Sequence, residues 1–110
     1  MDFNVKVLQK TLAFEAGEIS KTCSVDYRGF LSALVCDIPN FTNNVAVSYS
    51  IKNILGHEIA GYENMIDDND TVHHFPFAYC PLAHDFTLTV TLSGVPGGVG
   101  GDVTIIMYVY

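Results

Sequence analysis

The stretch that decides the fold is Phe86–Tyr110, FTLTVTLSGVPGGVGGDVTIIMYVY. Both of its ends alternate with period two. Phe86, Leu88, Val90 and Leu92 fall on one side and Thr87, Thr89, Thr91 and Ser93 on the other, and Val103, Ile105, Met107 and Val109 form a second apolar stripe. Successive side chains of a strand point to opposite faces, so each end reads as a half-buried strand. Between them lies GVPGGVGG, Gly94–Gly101. A phosphate cradle of the Walker type needs a lysine and a helix that aims its first amides at the phosphate. Here there is no lysine, Asp102 follows, and the next segment is a strand; the GxGxxG spacing is absent too. The segment therefore reads as a long, flexible hairpin connection. Gly97, Gly98, Gly100 and Gly101 give its backbone access to positive φ. Val95, Pro96 and Val99 are expected as exposed apolar residues at a mobile tip, a candidate contact point for a partner.

The same period runs through the rest of the chain. Phe3, Val5 and Val7 open it on one face, followed by Leu12 and Phe14, then Ile19, Cys23 and Val25. FLSALVCDI, Phe30–Ile38, is nearly continuously apolar and predicts a central strand, ended by Pro39, which cannot donate to a ladder. Val45, Val47, Tyr49 and Ile51 alternate with small polar residues, and Gly56 turns the chain into His57–Met65. The acidic run Asp67-Asp68-Asn69-Asp70 is a turn by composition, and Thr71–Phe77 is a further strand. Tyr79–Asp85 reads as a loop with at most one helical turn near Leu82–Asp85. β-Branched and aromatic residues dominate, and turn signals recur at roughly 8–12 residues. The expected fold is all-β: one domain over residues 1–110, a single antiparallel β-sandwich, jelly-roll-like, of about eight strands in two sheets.

Composition narrows the function. The chain has 110 residues, 49% of them apolar, and a net charge of −7 with only five Lys or Arg. A nucleic-acid partner requires a basic stripe that displaces counterions, and an acidic surface disfavours anionic membranes; neither partner is expected. MDFNVKVLQK has no cationic start followed by an apolar run, so no signal peptide is expected, and no apolar run is long enough to span a bilayer. Cys23, Cys36 and Cys80 are odd in number and lack CxxC spacing, which suits free thiols in a reducing compartment.

Candidate chemistry is sparse. His73, His74, Cys80 and His84 lie close in sequence, but adjacent residues of a strand face opposite ways, so no metal site is expected. Asp67, Asp68 and Asp70 lack the spacing of a calcium loop. Glu15, Glu18, Glu58 and Glu63 form no evident catalytic pair, and G-x-S-x-G is absent. The expectation is a protein that is not an enzyme and binds no cofactor. Tyr27, Tyr49, Tyr62 and Tyr79 could serve a sugar site, although each is more often a half-buried strand residue and there is no Trp.

Three pieces together carry a resemblance: YRGFLSALVCDIPNFTNNVAVSYSI, ILGHEIAGYENM and TLTVTLSGVPGGVGGDVTIIMYVY. In outline they resemble small β-sandwich proteins among the structural proteins of tailed bacteriophages, over roughly residues 27–110. The resemblance implies a virion component assembled in the bacterial host cytoplasm. Its leading form is a capsid decoration (cement) protein on the capsid surface, binding the major capsid protein as a homo-oligomer, a trimer. The alternatives are a head–tail connector or tail component, or a carbohydrate- or receptor-binding module on the virion. The resemblance supplies no binding residues. The residues themselves nominate the N-terminal segment with Phe3 and Val5, which could add to a neighbour's sheet edge, and the tip with Val95, Pro96 and Val99.

Overall fold

The computed structural model describes residues 5–65, 70–78 and 80–110. Phe3, the run Asp67–Asn69 and Tyr79 lie outside them. Among the described residues there are nine strands and no helix: β1 (Lys6–Phe14), β2 (Ser20–Asp26), β3 (Gly29–Ile38), β4 (Val47–Lys52), β5 (Glu58–Met65), β6 (Thr71–Pro76), β7 (Pro81–Leu82), β8 (Asp85–Leu92) and β9 (Gly101–Val109).

The pairing is nested. β1 pairs β9, β2 pairs β8, β3 pairs β6 and β4 pairs β5, all antiparallel. The chain thus behaves as one long antiparallel ribbon doubled back on itself. Two further pairings, β3 with β9 and β4 with β8, wrap that ribbon into two sheets, β1-β9-β3-β6 and β2-β8-β4-β5, with short β7 added to β3. A ribbon wound this way into two packed sheets is a jelly roll. The expected all-β sandwich is the fold, with nine strands in place of about eight.

Alternation explains why the sheets pack. The even-numbered apolar residues of β8, Phe86 to Leu92, and the odd-numbered ones of β9, Val103 to Val109, are buried and face each other across the core with Leu34, Cys36, Val47 and Ile51. Each stripe hides the other from water, and each fully buried aliphatic side chain contributes about 1.5–3 kcal/mol. Val45 and Phe41 close one end, where the Phe14 and Phe41 rings meet edge to face at 6.5 Å.

Three sequence expectations are corrected. First, β8 and β9 do not form a hairpin. They belong to different sheets, so Gly94–Gly100 carries the chain from one layer to the other. Their stripes therefore meet across the core, where a hairpin would have placed them side by side on one sheet. Second, that connection is tied down. Asn43 N–H donates to the Pro96 carbonyl (2.8 Å), Asn43 Nδ2 to the Val95 carbonyl (3.0 Å) and Gly97 N–H to the Ala16 carbonyl (3.1 Å). Third, the segment read as a loop over Tyr79–Asp85 holds a short strand: Pro81 and Leu82 pair with β3, and His84 beyond them takes a left-handed φ of 53°. The two N-terminal segments read separately also merge, since β1 runs unbroken from Lys6 to Phe14.

Candidate functional site

The partner-contact candidates read from the sequence do not form one surface. The β1·β9 register runs from Lys6↔Val109 to Phe14↔Gly101. Val5 therefore sits at one end of the sandwich and the 94–100 connection at the other, about 30 Å apart along a nine-residue strand. Val5 is 54% exposed and Val99 97%, and Val95 is exposed. Pro96 is buried, contrary to expectation, because the bonds to Asn43 and Ala16 fold the connection onto its neighbouring loops. Phe3 lies outside the described residues.

The sequence reading missed a second apolar tip. Ile54 and Leu55, in the β4–β5 turn, are 76% and 77% exposed. The turn that carries them is rigidly closed. Asn53 Oδ1 accepts from the Leu55 and His57 amides, both at 3.0 Å; Gly56 N–H donates to the Asn53 carbonyl and Asn53 N–H to the His57 carbonyl, both at 2.9 Å. Gly56 has a φ of 83°, open to glycine at little cost. The signal was present in sequence: two large apolar residues between an Asx-turn asparagine and a glycine. Strand registers place this tip at the Val5 end of the molecule.

The two outer sheet faces differ sharply. On β2-β8-β4, cross-strand rows read Ser20–Thr91–Ser48, Thr22–Thr89–Ser50 and Ser24–Thr87–Lys52. The Thr22 and Thr89 hydroxyls bond at 3.0 Å, and the Ser50 hydroxyl donates to Glu58 Oε1 at 2.7 Å. A depression of about 260 Å³ opens among Ser48, Ser50, Glu58, Glu63, Thr89 and Thr91. Its lining offers hydroxyls and carboxylates but no cation, so it suits a polyhydroxylated ligand better than an anion. Its floor includes Tyr49, whose buried ring packs at 5.2 Å on Phe75; burial pushes that phenol up to about 12.

On the opposite sheet the rows read Val7–Tyr108–Ala33–Pro76 and Gln9–Ile106–Val35–His74, with Thr11–Thr104–Asp37–Val72 beyond. Tyr110 stacks on Phe30, ring centroids 5.5 Å apart, at the Val5 end of this face. The face is apolar toward its Val5 end and polar along the Thr11–Thr104–Asp37 positions, where the other is hydroxylated in every row.

The remaining sequence candidates are dispersed. Among the described residues no three His, Cys, Asp or Glu side chains converge as a metal site. His73 lies against Phe75, 6.3 Å between ring centres, while His74 is exposed on the other side of β6. Cys23, Cys36 and Cys80 form no disulfide, and burial pushes the thiols of Cys23 and Cys80 up, the opposite of an activated nucleophile. Glu18 is held below its usual range by its bond to Lys21 (2.7 Å) and by the Glu15 amide it accepts (2.9 Å); it closes a turn. Of the tyrosines, Tyr49 is in the core, Tyr62 leans on Phe75 at 5.0 Å and Tyr27 is half-buried.

No protein-family model matches the sequence, and no curated protein matches it. Solved structures do match. A chain of the cyanophage Pam1 capsid asymmetric unit superposes with a TM-score of 0.65 at 11% identity, covering 97% of this chain and 86% of that one. The match is one of fold. The VP2 subviral particle of infectious bursal disease virus gives 0.55 at 12% identity, covering 97% of this chain and 33% of that one. The complex of an Aeromonas sobria serine protease with its chaperone gives 0.52 at 7%, over 96% of this chain and 27% of that one. The jelly roll is thus shared with viral capsid chains and with a protease complex alike, and fold alone does not choose among their roles.

Proposed function

We propose that this chain is a structural component of a bacteriophage particle, and specifically a decoration (cement) protein that binds the major capsid protein on the outside of the head and stabilises it. The observation that carries the reading is the near end-to-end likeness with a chain of a cyanophage capsid asymmetric unit that is scarcely longer than this one. The arrangement of apolar tips adds to it. Val99 stands at one pole, Ile54 and Leu55 at the other, so one copy can touch more than one neighbour. The 53–57 turn is already held by four hydrogen bonds, so docking it costs little ordering entropy. Each contact is small, and its effect multiplies over the lattice. Assembly in the bacterial cytoplasm, before release, suits three cysteines that form no disulfide. A trimer, as the phage resemblance implies, would need two different complementary surfaces on each copy.

The test is the copy number in purified particles of the virus that encodes the chain, measured by mass spectrometry against the major capsid protein. A number in simple ratio to the shell protein supports decoration. A handful of copies makes it a connector or tail component instead, and absence from the particle ends the reading.

A second reading has its own observation, the hydroxyl-lined depression beside Glu58 and Glu63. It is a carbohydrate- or receptor-binding face of the virion. Glycan-array binding that disappears in Glu58→Gln or Ser50→Ala would support it, and no binding to any glycan would remove it.

A further inference from the structure

We infer that the apolar outer face of the β1-β9-β3-β6 sheet is where two copies of this chain pair, sheet against sheet, about a two-fold axis. The inference does not depend on the virion reading. The outer positions of a two-layer sandwich meet water and are ordinarily polar, as the hydroxyl rows of the other sheet are. On this sheet the row nearest the Val5 end, Val7–Tyr108–Ala33–Pro76, and the centre of the next, Ile106 and Val35, are apolar, while Gln9, His74, Thr11, Thr104 and Asp37 are polar. Ile106, half-buried, lies between the buried Ile105 and Met107, and Val35, which its neighbours on the sheet already bury, between Leu34 and Cys36. Over Ala33–Cys36 and Ile105–Val109 the two strands are apolar on both faces, the pattern of strands covered on both sides, while Asp37, Asp102 and Thr104 keep their other ends polar. Val7 extends the patch onto β1, 56% exposed, beside Tyr108 in the register. Inner-face packing does not account for Val7, Ile106 or Tyr108, since all three point away from the core.

The flat extent of the face matches a second copy of itself as the occupant, and charge selects how the two copies lie. Four strands about 4.8 Å apart and about six residues long make a face of roughly 20 Å by 20 Å, on the order of 400 Å². Two such faces bury on the order of 800 Å², the size of a weak, reversible contact and short of a permanent one. The chain carries −7, so two copies repel unless their carboxylates are kept apart. On this face Asp37 and Asp102 lie toward the Phe14 end of β1, and the Val5 end, where Lys6 starts the strand, has none in its rows. A two-fold axis lying across the strands sets the Asp37 end of each copy over the Val7–Tyr108 end of the other. An axis along the strands would stack the acidic ends on each other. The first arrangement is therefore the one selected, and because an isologous contact closes on itself it yields a dimer, not a trimer.

The experiment is sedimentation velocity on the purified full chain over a concentration series, with Ile106→Asp, Val7→Asp and the control Thr89→Asp on the hydroxyl face. The expected result is a monomer–dimer equilibrium that both face variants weaken at least tenfold and the control leaves unchanged. Circular-dichroism melting identifies which variants remain folded. If Ile106→Asp unfolds, Val7→Asp, at the exposed margin of the patch, decides alone. A chain monomeric at about 100 µM, a trimer, or a dimer that the folded face variants leave intact overturns the inference.

Discussion

Gly100 passes so close over Phe14 that a Cβ placed on the glycine would overlap the Phe14 carbonyl oxygen. Its φ of 76° is also in the left-handed region. Two independent constraints thus require glycine where the chain crosses from one sheet to the other and enters β9. Gly100→Ala is expected to destabilise the fold by roughly 2–4 kcal/mol, combining a left-handed φ with a backbone clash that no side-chain rotation relieves. Gly17→Ala is the control, because nothing lies within 4 Å of a Cβ there. Urea unfolding of the two variants checks this. Equal stabilities would mean that the crossing is not held as described.

The β4–β5 tip should lose rigidity before it loses structure. Asn53→Ala removes the oxygen that accepts from Leu55 and His57. The expected cost is about 1–2 kcal/mol, since two exposed hydrogen bonds are each worth about 1 kcal/mol or less. Asn53→Asp keeps the acceptor and should cost less. Hydrogen exchange at the Leu55 and His57 amides reports the change directly: it should rise in the alanine variant and stay near wild type in the aspartate variant.

Much of this fold was legible because alternation is a local signal. Phe86–Leu92 and Val103–Val109 announced their buried faces, and Pro39 marked the end of β3. What alternation cannot encode is the partner across which a stripe is buried. Two adjacent strands with matched stripes look the same in sequence whether they pair edge to edge or face each other across a core. That ambiguity produced the mistaken hairpin between β8 and β9. The connection's apparent mobility failed for a related reason: its tethers, Asn43 and Ala16, are more than fifty residues away, and only the fold brings them near. The contact sites suffered most. Val5 and Val99 were visible as apolar residues near turns, but their separation to opposite poles follows from register. The apolar part of the outer face was hidden within β3, where continuous apolar sequence read simply as a central strand, and within β9, where only the stripe Val103–Val109 was read.

Neighbouring residues on β9 should respond oppositely in the isolated chain. Ile105 is fully buried between the sheets, and Ile106 faces outward. Ile105→Ala is expected to cost about 2–5 kcal/mol through lost burial and the cavity left behind. Ile106→Ala should cost about 1 kcal/mol or less when measured at a concentration where the chain is monomeric. Denaturant titrations of the pair, run dilute, check this. Similar large losses in both would mean that Ile106 belongs to the core, and the outer face would no longer be a free surface.

Alkaline pH should unfold the protein through Tyr49. Burial first, then the neighbouring Cys36, Cys80 and Glu58, push its phenol from 10 up to about 12. The neutral form is therefore the one the folded state prefers. The sign follows from linkage: the contribution is fully present below the unfolded value near 10 and is lost as pH rises from 10 through about 12. A difference of this size corresponds to about 2–3 kcal/mol. The thiols of Cys23 and Cys80, also raised by burial, act in the same sense, so the tyrosine must be isolated by difference. Tyr49→Phe removes the ionisation and retains the ring against Phe75. Wild type should lose stability relative to Tyr49→Phe between about pH 10 and 12 and run parallel to it below, followed by urea unfolding and by the ultraviolet absorbance of tyrosinate. Parallel curves through that whole range would show that the Tyr49 phenol reaches solvent in the folded protein, and that the inner wall of the β2-β8-β4-β5 sheet is open where the structure closes it.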